Sequence, residues 1–234
     1  MDGASRIVFF GGAGVSTESG IPDFRSEKGL YMAKQEYGRS PEEMISHSFF
    51  VREPVIFYDY YKKNLIYPDA QPNAAHLGIA ALEKTGKDVR VVTQNIDGLH
   101  QQAGSSTVYE LHGSVLRNYC LKCGATYDLA YILDDANCQD GVPYCAKCGG
   151  MVRPDVVLYE EGLDDATVKG AVDAIAKADL LIVGGTSLVV YPAAGFLNYY
   201  HGDDLVLINL TATSADQRAS LVIREPIGEV FAQL

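Results

Sequence analysis

Basic residues are scarce in this sequence. Nineteen lysines and arginines stand against 30 acids, for a formal net charge of −11. That balance argues against direct nucleic-acid binding, which needs a basic surface to neutralise phosphate. It suits a basic partner such as a lysine-rich peptide, although a solvated acidic face accounts for most of it. No apolar run reaches the roughly 18 residues of a membrane-spanning helix. No cleavable leader is evident, since Met1-Asp2-Gly3 begins with an acid. The expectation is a cytoplasmic protein with no membrane partner. Cysteine is sparse too: of five, four fall in two C-x-x-C pairs. Without a secretory signal that pattern favours metal binding over disulfides.

What is present is enough for a core. The 234 residues are 47% hydrophobic, which excludes disorder and allows one large domain or a domain with a small insertion. An apolar run, Ile7 to Phe10, reads as a short buried strand and leads into Gly11-Gly12-Ala13-Gly14-Val15-Ser16-Thr17. Glycines let the backbone turn sharply and approach a ligand, and Ser16 or Thr17 can cap a following helix. Strand, glycine turn and helix N-terminus together present free N–H groups to phosphate. Gly12 and Gly14 therefore read as a phosphate cradle for a dinucleotide. They fill the first two places of G-x-G-x-x-G, and Thr17 takes the third. The acidic residue expected about 20 positions on is not evident. A tight turn with no ligand stays open as the alternative.

Residues 26–38 read as a loop covering the ligand. Ser40-Pro41-Glu42-Glu43 reads as a capped helix start. Helices over 54–66 and 73–84 then interrupt the α/β alternation and read as an insertion. Strands are expected at 89–92, 108–111, 156–159, 180–183, 205–208 and 221–223. Helices are expected over 164–177, from 191–194 onward and from 227 onward. The wholly apolar run Leu180 to Val183 fits a parallel sheet covered on both faces. Several strands end in glycine or polar groups: Gly11 to Gly14, Gln94-Asn95-Ile96-Asp97, His112, Gly185-Thr186-Ser187 and Asn209. In a parallel sheet these ends share one edge and make one composite site. The glycine turns suit pyrophosphate, the hydroxyls phosphate or ribose, and Asn209 ribose or adenine. The other two ends bring chemical side chains, with an Asx-rich turn and a satisfied turn histidine as the alternatives.

Cys120-x-x-Cys123 and Cys145-x-x-Cys148 are separated by 21 residues. Two such knuckles at this distance point to a tetrahedral four-thiolate Zn²⁺ site. With four protein ligands no position is left for water or substrate, so one structural ion is expected. Cys138 falls outside the spacing and reads as a bystander.

Residues 12–25 read G-A-G-x-S-x-x-S-G-I-P-D-F-R, closing on Pro22-Asp23-Phe24-Arg25. Here the chain resembles the sirtuins, NAD-dependent protein deacylases, at every specified position of their signature. The likeness continues through Thr93 to Asp97, Leu111-His112-Gly113, the cysteine pairs, Gly185 to Leu188 and Ile208-Asn209. It implies an α/β fold with a Rossmann-like parallel sheet in residues 1–29, 81–116 and 151–234. A small domain would combine the helical insertion, 30–80, with the zinc module, 117–150. By this resemblance NAD is held by Gly12, Ala13, Gly14, Thr17, Asp23, Phe24, Arg25, Gln94, Gly185, Thr186, Ser187, Asn209 and Ile227. Ile96 and Asp97 hold the nicotinamide carboxamide, His112 is the catalytic base, and Asn95 joins it in the catalytic group. The substrate, an acetyl-lysine protein or peptide, lies along Val157 and Tyr159 as an added strand.

The implied reaction is deacetylation. The acetyl oxygen displaces nicotinamide at C1′ of the ribose, and His112 helps a ribose hydroxyl take the acetyl group. Lysine, nicotinamide and O-acetyl-ADP-ribose are the products. Protein mono-ADP-ribosyl transfer, and a non-catalytic NAD-sensing zinc module, remain the alternatives. The chain departs from the family at Tyr159-Glu160-Glu161, where many sirtuins carry Phe-Gly-Glu. The extra acid is expected to favour basic residues beside the acyl-lysine. Sirtuins that prefer succinyl- or malonyl-lysine share a Tyr-x-x-Arg pair. Here Tyr58 fits the Tyr position and Tyr61 stands where Arg should be, with Lys62 one residue off register. An apolar acyl pocket is expected.

Overall fold

A computed structural model describes residues 3–23 and 35–233. Six strands form one parallel sheet: β1 (Arg6–Gly11), β2 (Asp88–Thr93), β3 (Val108–Glu110), β9 (Leu180–Gly184), β10 (Leu205–Ile208) and β11 (Leu221–Ile223). Their spatial order is β11-β10-β9-β1-β2-β3. The direction of winding therefore reverses between β1 and β9, which pair in register from Ile7↔Leu180 to Gly11↔Gly184. Ligands of doubly wound sheets bind at this kind of switch point, beyond the carboxyl ends of the strands.

Successive strand residues face opposite sides, and both sides are covered. Val8, Phe10, Val92, Leu181 and Val183 pack with α7 (Asp165–Lys177) and the 3-10 segment Ala193–Tyr199. Ile7, Phe9, Val89, Val91 and Ile182 pack with α4 (Ala74–Lys84) and α8 (Ile227–Phe231). This double cover explains the unbroken apolar runs in the sequence.

A separate core holds α1 (Pro41–Met44), α2 (His47–Arg52) and α3 (Pro54–Asn64) against the cysteine module. Ser40 accepts from the Glu43 N–H as the cap of α1, as its sequence suggests. Phe57, Tyr58, Tyr60 and Tyr61 of α3 are buried there. The module's sheet is antiparallel, in the order β5 (Thr126–Asp128), β4 (Gly113–Cys120), β8 (Val152–Val156). A two-stranded ribbon joins β6 (Cys138–Gln139) to β7 (Val142–Pro143), and α6 (Leu129–Leu133) packs against β4, β5 and β7.

Two local expectations give way. The turn after β1 does not start an α-helix. It makes two 3-10 turns, Ala13–Val15 and Thr17–Ser19, and neither Gly12 nor Ser16 caps by side chain. Ser16 is drawn elsewhere, as shown below. The strand expected over 156–159 ends at Val156 and pairs antiparallel with β4, not with the parallel sheet. Its apolar composition says "strand" but not which sheet. Beyond it, Tyr159 makes only an isolated parallel bridge to Ser46.

Candidate active site

The turns after β1, β2 and β9 and the crossing from β3 to β4 enclose a cleft of about 350 Å³. That lies within the roughly 300–1,000 Å³ of small-molecule sites. Gly12, Ala13, Gly185, Thr186 and Ser187 line it from the two glycine turns, and Asp23 from the stretch beyond the first. Gln94, Asn95, Ile96, Asp97 and His112 line it from the next two strand ends, and Val157 and Tyr159 close the far side. The cysteines gather separately.

The glycines have a reason beyond any ligand. Gly14 N donates to Gly185 O at 2.8 Å. A Cβ on Gly14 would lie 2.8 Å from Gly185 Cα, and one on Gly185, whose φ is +57°, would lie 2.4 Å from Val15 N. The two turns therefore touch through backbone, and side chains would force them apart. Gln94 Nε2 donates to Thr186 Oγ1 at 3.2 Å and ties the third turn to them.

Asp97 is held tightly. Ser16 Oγ donates to its Oδ2 at 2.6 Å, and Leu99 N, opening α5 (Leu99–Ala103), donates to its Oδ1 at 2.9 Å. Asn95 Nδ2 donates to Ser16 Oγ at 3.0 Å. Asn95 thus acts on Asp97 through Ser16, a buried residue that sequence reasoning read only as a helix cap. The Ser of the G-A-G-x-S signature was the available signal.

His112 occupies the link between the two sheets, after β3 and before β4. Its Nδ1 lies 2.9 Å from Gln94 O. A carbonyl only accepts, so Nδ1 carries the proton and Nε2 keeps its lone pair. Burial pushes the imidazole below its ordinary value, against an opposing pull from the Gln94 hydrogen bond. The ring is a neutral, ready base. Its main-chain oxygen accepts from Val157 N at 2.9 Å, joining the base to the peptide side of the cleft. Gly113 permits this: φ is +76°, and a Cβ would lie 2.0 Å from Asp155 O.

Several expected contacts lie elsewhere. Gly14 and Thr17 are not among the cleft-lining residues, and Thr17 Oγ1 donates back to Gly14 O at 2.9 Å. Asn209 stands beyond β10 on the same sheet edge, but its amide donates to Thr211 O at 2.9 Å. Ile227 is buried in the core behind Gly184. Phe24 and Arg25, and most of the covering loop, lie outside the described residues. Tyr58 and Tyr61 are buried in the small domain and do not line the cleft. The Tyr58 hydroxyl donates to Val152 O. Lys62 Nζ sits 3.4 Å from Cys138 Sγ, away from the cleft. Ile45, Asn64, Leu65 and Tyr67, which do line it, carried no sequence signal, because they reach the site only by domain packing.

Cys120, Cys123, Cys145 and Cys148 place their Sγ atoms within 4.8 Å of one another, and none is in a disulfide. Cys120 and Cys148 Sγ are 3.5 Å apart, and Cys123 and Cys145 Sγ 3.6 Å. A tetrahedral ion with Zn–S bonds near 2.3 Å puts sulfurs roughly 3.8 Å apart, so the cluster fits Zn²⁺. Cys138 stands apart, as expected.

The chain belongs to the Sir2 family, whose pattern matches residues 12–192. It is 60% identical to the NAD-dependent protein deacetylase of Clostridium perfringens, over 99% of this chain and 93% of that one. Among solved structures it resembles a Sir2 variant with deacetylated peptide and 3'-O-acetyl ADP ribose. That likeness has a TM-score of 0.88 and 37% identity over 99% of this chain and 93% of the other. It also resembles Sir2 bound to an acetylated peptide, with TM-score 0.85 and 35% identity over 99% and 92% of the two chains.

Proposed function

We propose that this chain is an NAD-dependent protein-lysine deacetylase that transfers the acetyl group to ADP-ribose and releases nicotinamide. The observation that carries the reading is the neutral His112, its Nδ1–H on Gln94 O, in one cleft with Asp97 and both glycine turns. The donor set fits NAD. Gly12, Ala13, Gln94, Gly185, Thr186 and Ser187 would hold its phosphates and riboses, and Ile96 and Asp97 its carboxamide. Gly14, Thr17, Asp23, Phe24, Arg25, Asn209 and Ile227 complete the binding set that the family resemblance implies, of which Asp23 alone lines the cleft among the described residues. Bound NAD supplies a ribose carbon that accepts the acyl oxygen as nicotinamide leaves.

The chain's own groups do the rest. Asp97, fixed by Ser16 and Leu99 N, accepts from an amide N–H₂. His112 Nε2 takes the proton of a ribose hydroxyl, and the Gln94 carbonyl steadies the resulting imidazolium. Val157 and Tyr159 align the acetyl-lysine peptide. One Zn²⁺ on the four thiolates holds the module together and takes no part in the chemistry. Separate cores support a Rossmann-like domain and a small domain, with edges shifted from those given above: Ala75 and Ile79 of α4 pack on the parallel sheet, and β4 and β8 together form the small sheet. Four unbridged thiols suit a reducing, cytoplasmic setting.

The test is incubation with NAD and an acetyl-lysine peptide, following nicotinamide and peptide mass together. Loss of acetyl with nicotinamide release is expected. ADP-ribose added to protein would favour mono-ADP-ribosyl transfer, and no turnover would favour the sensor. His112→Ala is expected to abolish deacetylation and leave the Kd for NAD within about threefold. Near-normal turnover by that variant would remove His112 from its role.

A further inference from the structure

Glu160 is the residue where this chain departs from the glycine that the family resemblance places there, and its backbone still takes the glycine conformation. Its φ is +77°, in the left-handed region, where a Cβ crowds the following carbonyl. Something must hold it. Glu160 Oε2 accepts from Ser48 N, and Oε1 accepts from Ser48 Oγ, each at 2.9 Å. Ser48 lies in the first turn of α2, whose N–H groups have no partner within the helix. The carboxylate of a strained residue thus grips the first turn of a small-domain helix. The expectation that this acid meets a basic substrate residue is displaced by that contact: both oxygens are engaged within the chain.

The grip sits at the end of the segment assigned to the peptide. Tyr159 N donates to Ile45 O at 3.1 Å, and His47 N donates to Tyr159 O at 3.0 Å. The next residue, Glu161, accepts from Leu158 N at 2.9 Å, pairs with Arg153 at 2.7 Å and contacts His47 Nδ1 at 2.7 Å. Segment 157–161 is therefore fastened to the start of α2 by main chain and by two adjacent carboxylates. Only one of them needs a left-handed residue.

We propose that Glu160 is a positioning residue for the acyl-lysine peptide. Its left-handed backbone and its clamp on Ser48 together preset the turn that ends the peptide-aligning segment Val157–Tyr159. The proposal rests on the deacetylase reading, and it concerns how firmly the substrate edge is formed before the peptide arrives. A preset edge lowers the ordering cost of binding, so the effect falls on KM for peptide and not on the chemical step.

The test compares Glu160→Ala, Glu160→Gly and Ser48→Ala in the full chain, with two readouts. Amide hydrogen exchange over residues 157–161 reads the turn without substrate or NAD. Steady-state kinetics with an acetyl-lysine peptide read its use. Glu160→Ala loses the clamp and keeps the Cβ. It is expected to raise peptide KM about tenfold, with kcat and the NAD Kd within twofold, and to speed exchange at Leu158 and Tyr159. Glu160→Gly takes the left-handed conformation freely and is expected to return KM to within about threefold of the parent protein. Ser48→Ala keeps the backbone donor and is expected to raise KM two- to threefold. The proposal falls if exchange at 157–161 is the same in all variants, if alanine leaves KM unchanged, or if glycine is no better than alanine. A parent protein that fails to deacetylate would overturn the activity reading alone, since the exchange pattern judges the clamp independently.

Discussion

Ser16 shows how a single hydroxyl can direct a site without touching the reacting atoms. It donates to Asp97 and accepts from Asn95, so the carboxylate has one oxygen held by a side chain and one by Leu99 N. A hydrogen bond to a charged group contributes about 1.5–3 kcal/mol. Ser16→Ala is therefore expected to slow nicotinamide release from NAD roughly 10- to 100-fold. Circular dichroism should be unchanged, and Asn95→Ala should reproduce a milder form. Equal rates in Ser16→Ala and the parent would show that Asp97 needs no such orientation. The two sites to measure are legible in the sequence as signature residues, but their bond is not, because 81 residues separate them.

The buried histidine pair behind the site sets an acid limit. His76 and His100 are buried, with ring centroids 4.7 Å apart, and His100 also packs on Phe9. Burial pulls His76 down to about 4, with Asp97 pulling the other way. Burial and the neighbouring His76 pull His100 down to about 3. Both are neutral in the folded protein and take up protons on unfolding below the ordinary histidine value near 6.5. The unfolded chain then binds more protons, so stability is complete above that value and is lost as pH falls towards 4. Each histidine adds a slope of up to about 1.4 kcal/mol per pH unit. Denaturant melts at pH 7, 6 and 5 should show this fall, and His100→Phe should flatten it. A flat profile in the parent would mean the pair finds protons or partners in the fold.

At the scale of elements, the cysteine module shares its core with the helices of the small domain. Its β6 and β7 have only two residues each and β5 three, beside the eight of β4. A structural Zn²⁺ supplies roughly 10–16 kcal/mol of apparent binding energy that serves as folding energy. Chelation, or Cys120→Ser, is expected to release about one zinc per chain, to lower Tm, and to abolish turnover. The loss reaches the active site because β4 carries the chain from His112 into Cys120, and β8 pairs beside it. An unchanged melting curve in the chelated protein would overturn the zinc assignment.

Taken whole, the molecule is acidic, and so is its cleft. Asp23, Asp97, Glu160 and Glu161 line it, and no lysine or arginine does among the described residues. A succinyl carboxylate entering there would lose its hydration without a partner, which costs several kcal/mol. Succinyl-lysine is expected to be at least about 100-fold worse than acetyl-lysine in kcat/KM, equivalent to roughly 2.7 kcal/mol. A matched peptide pair differing only in the acyl group tests this. Equal rates would place a cation in the pocket. Tyr58 and Tyr61, on which the sequence places this expectation, lie off the cleft, so it rests instead on the cleft lining.

Local chemistry was legible in the sequence. The apolar strands, the capped helix starts, the paired cysteines and the signature at 12–25 each depend on neighbours a few residues apart. So did the edge of strand ends, since parallel strands all point their carboxyl ends one way. Only the tertiary structure decided what those groups do to one another. It turned the expected helix at Ser16 into 3-10 turns whose serine reaches Asp97. It assigned Val152–Val156 to the small sheet, and it brought Ile45 and Tyr67 into the cleft. Composition and periodicity report which surfaces are buried, not against what. Contacts between residues far apart in the chain depend on how two sheets and their covers pack, and no local pattern encodes that.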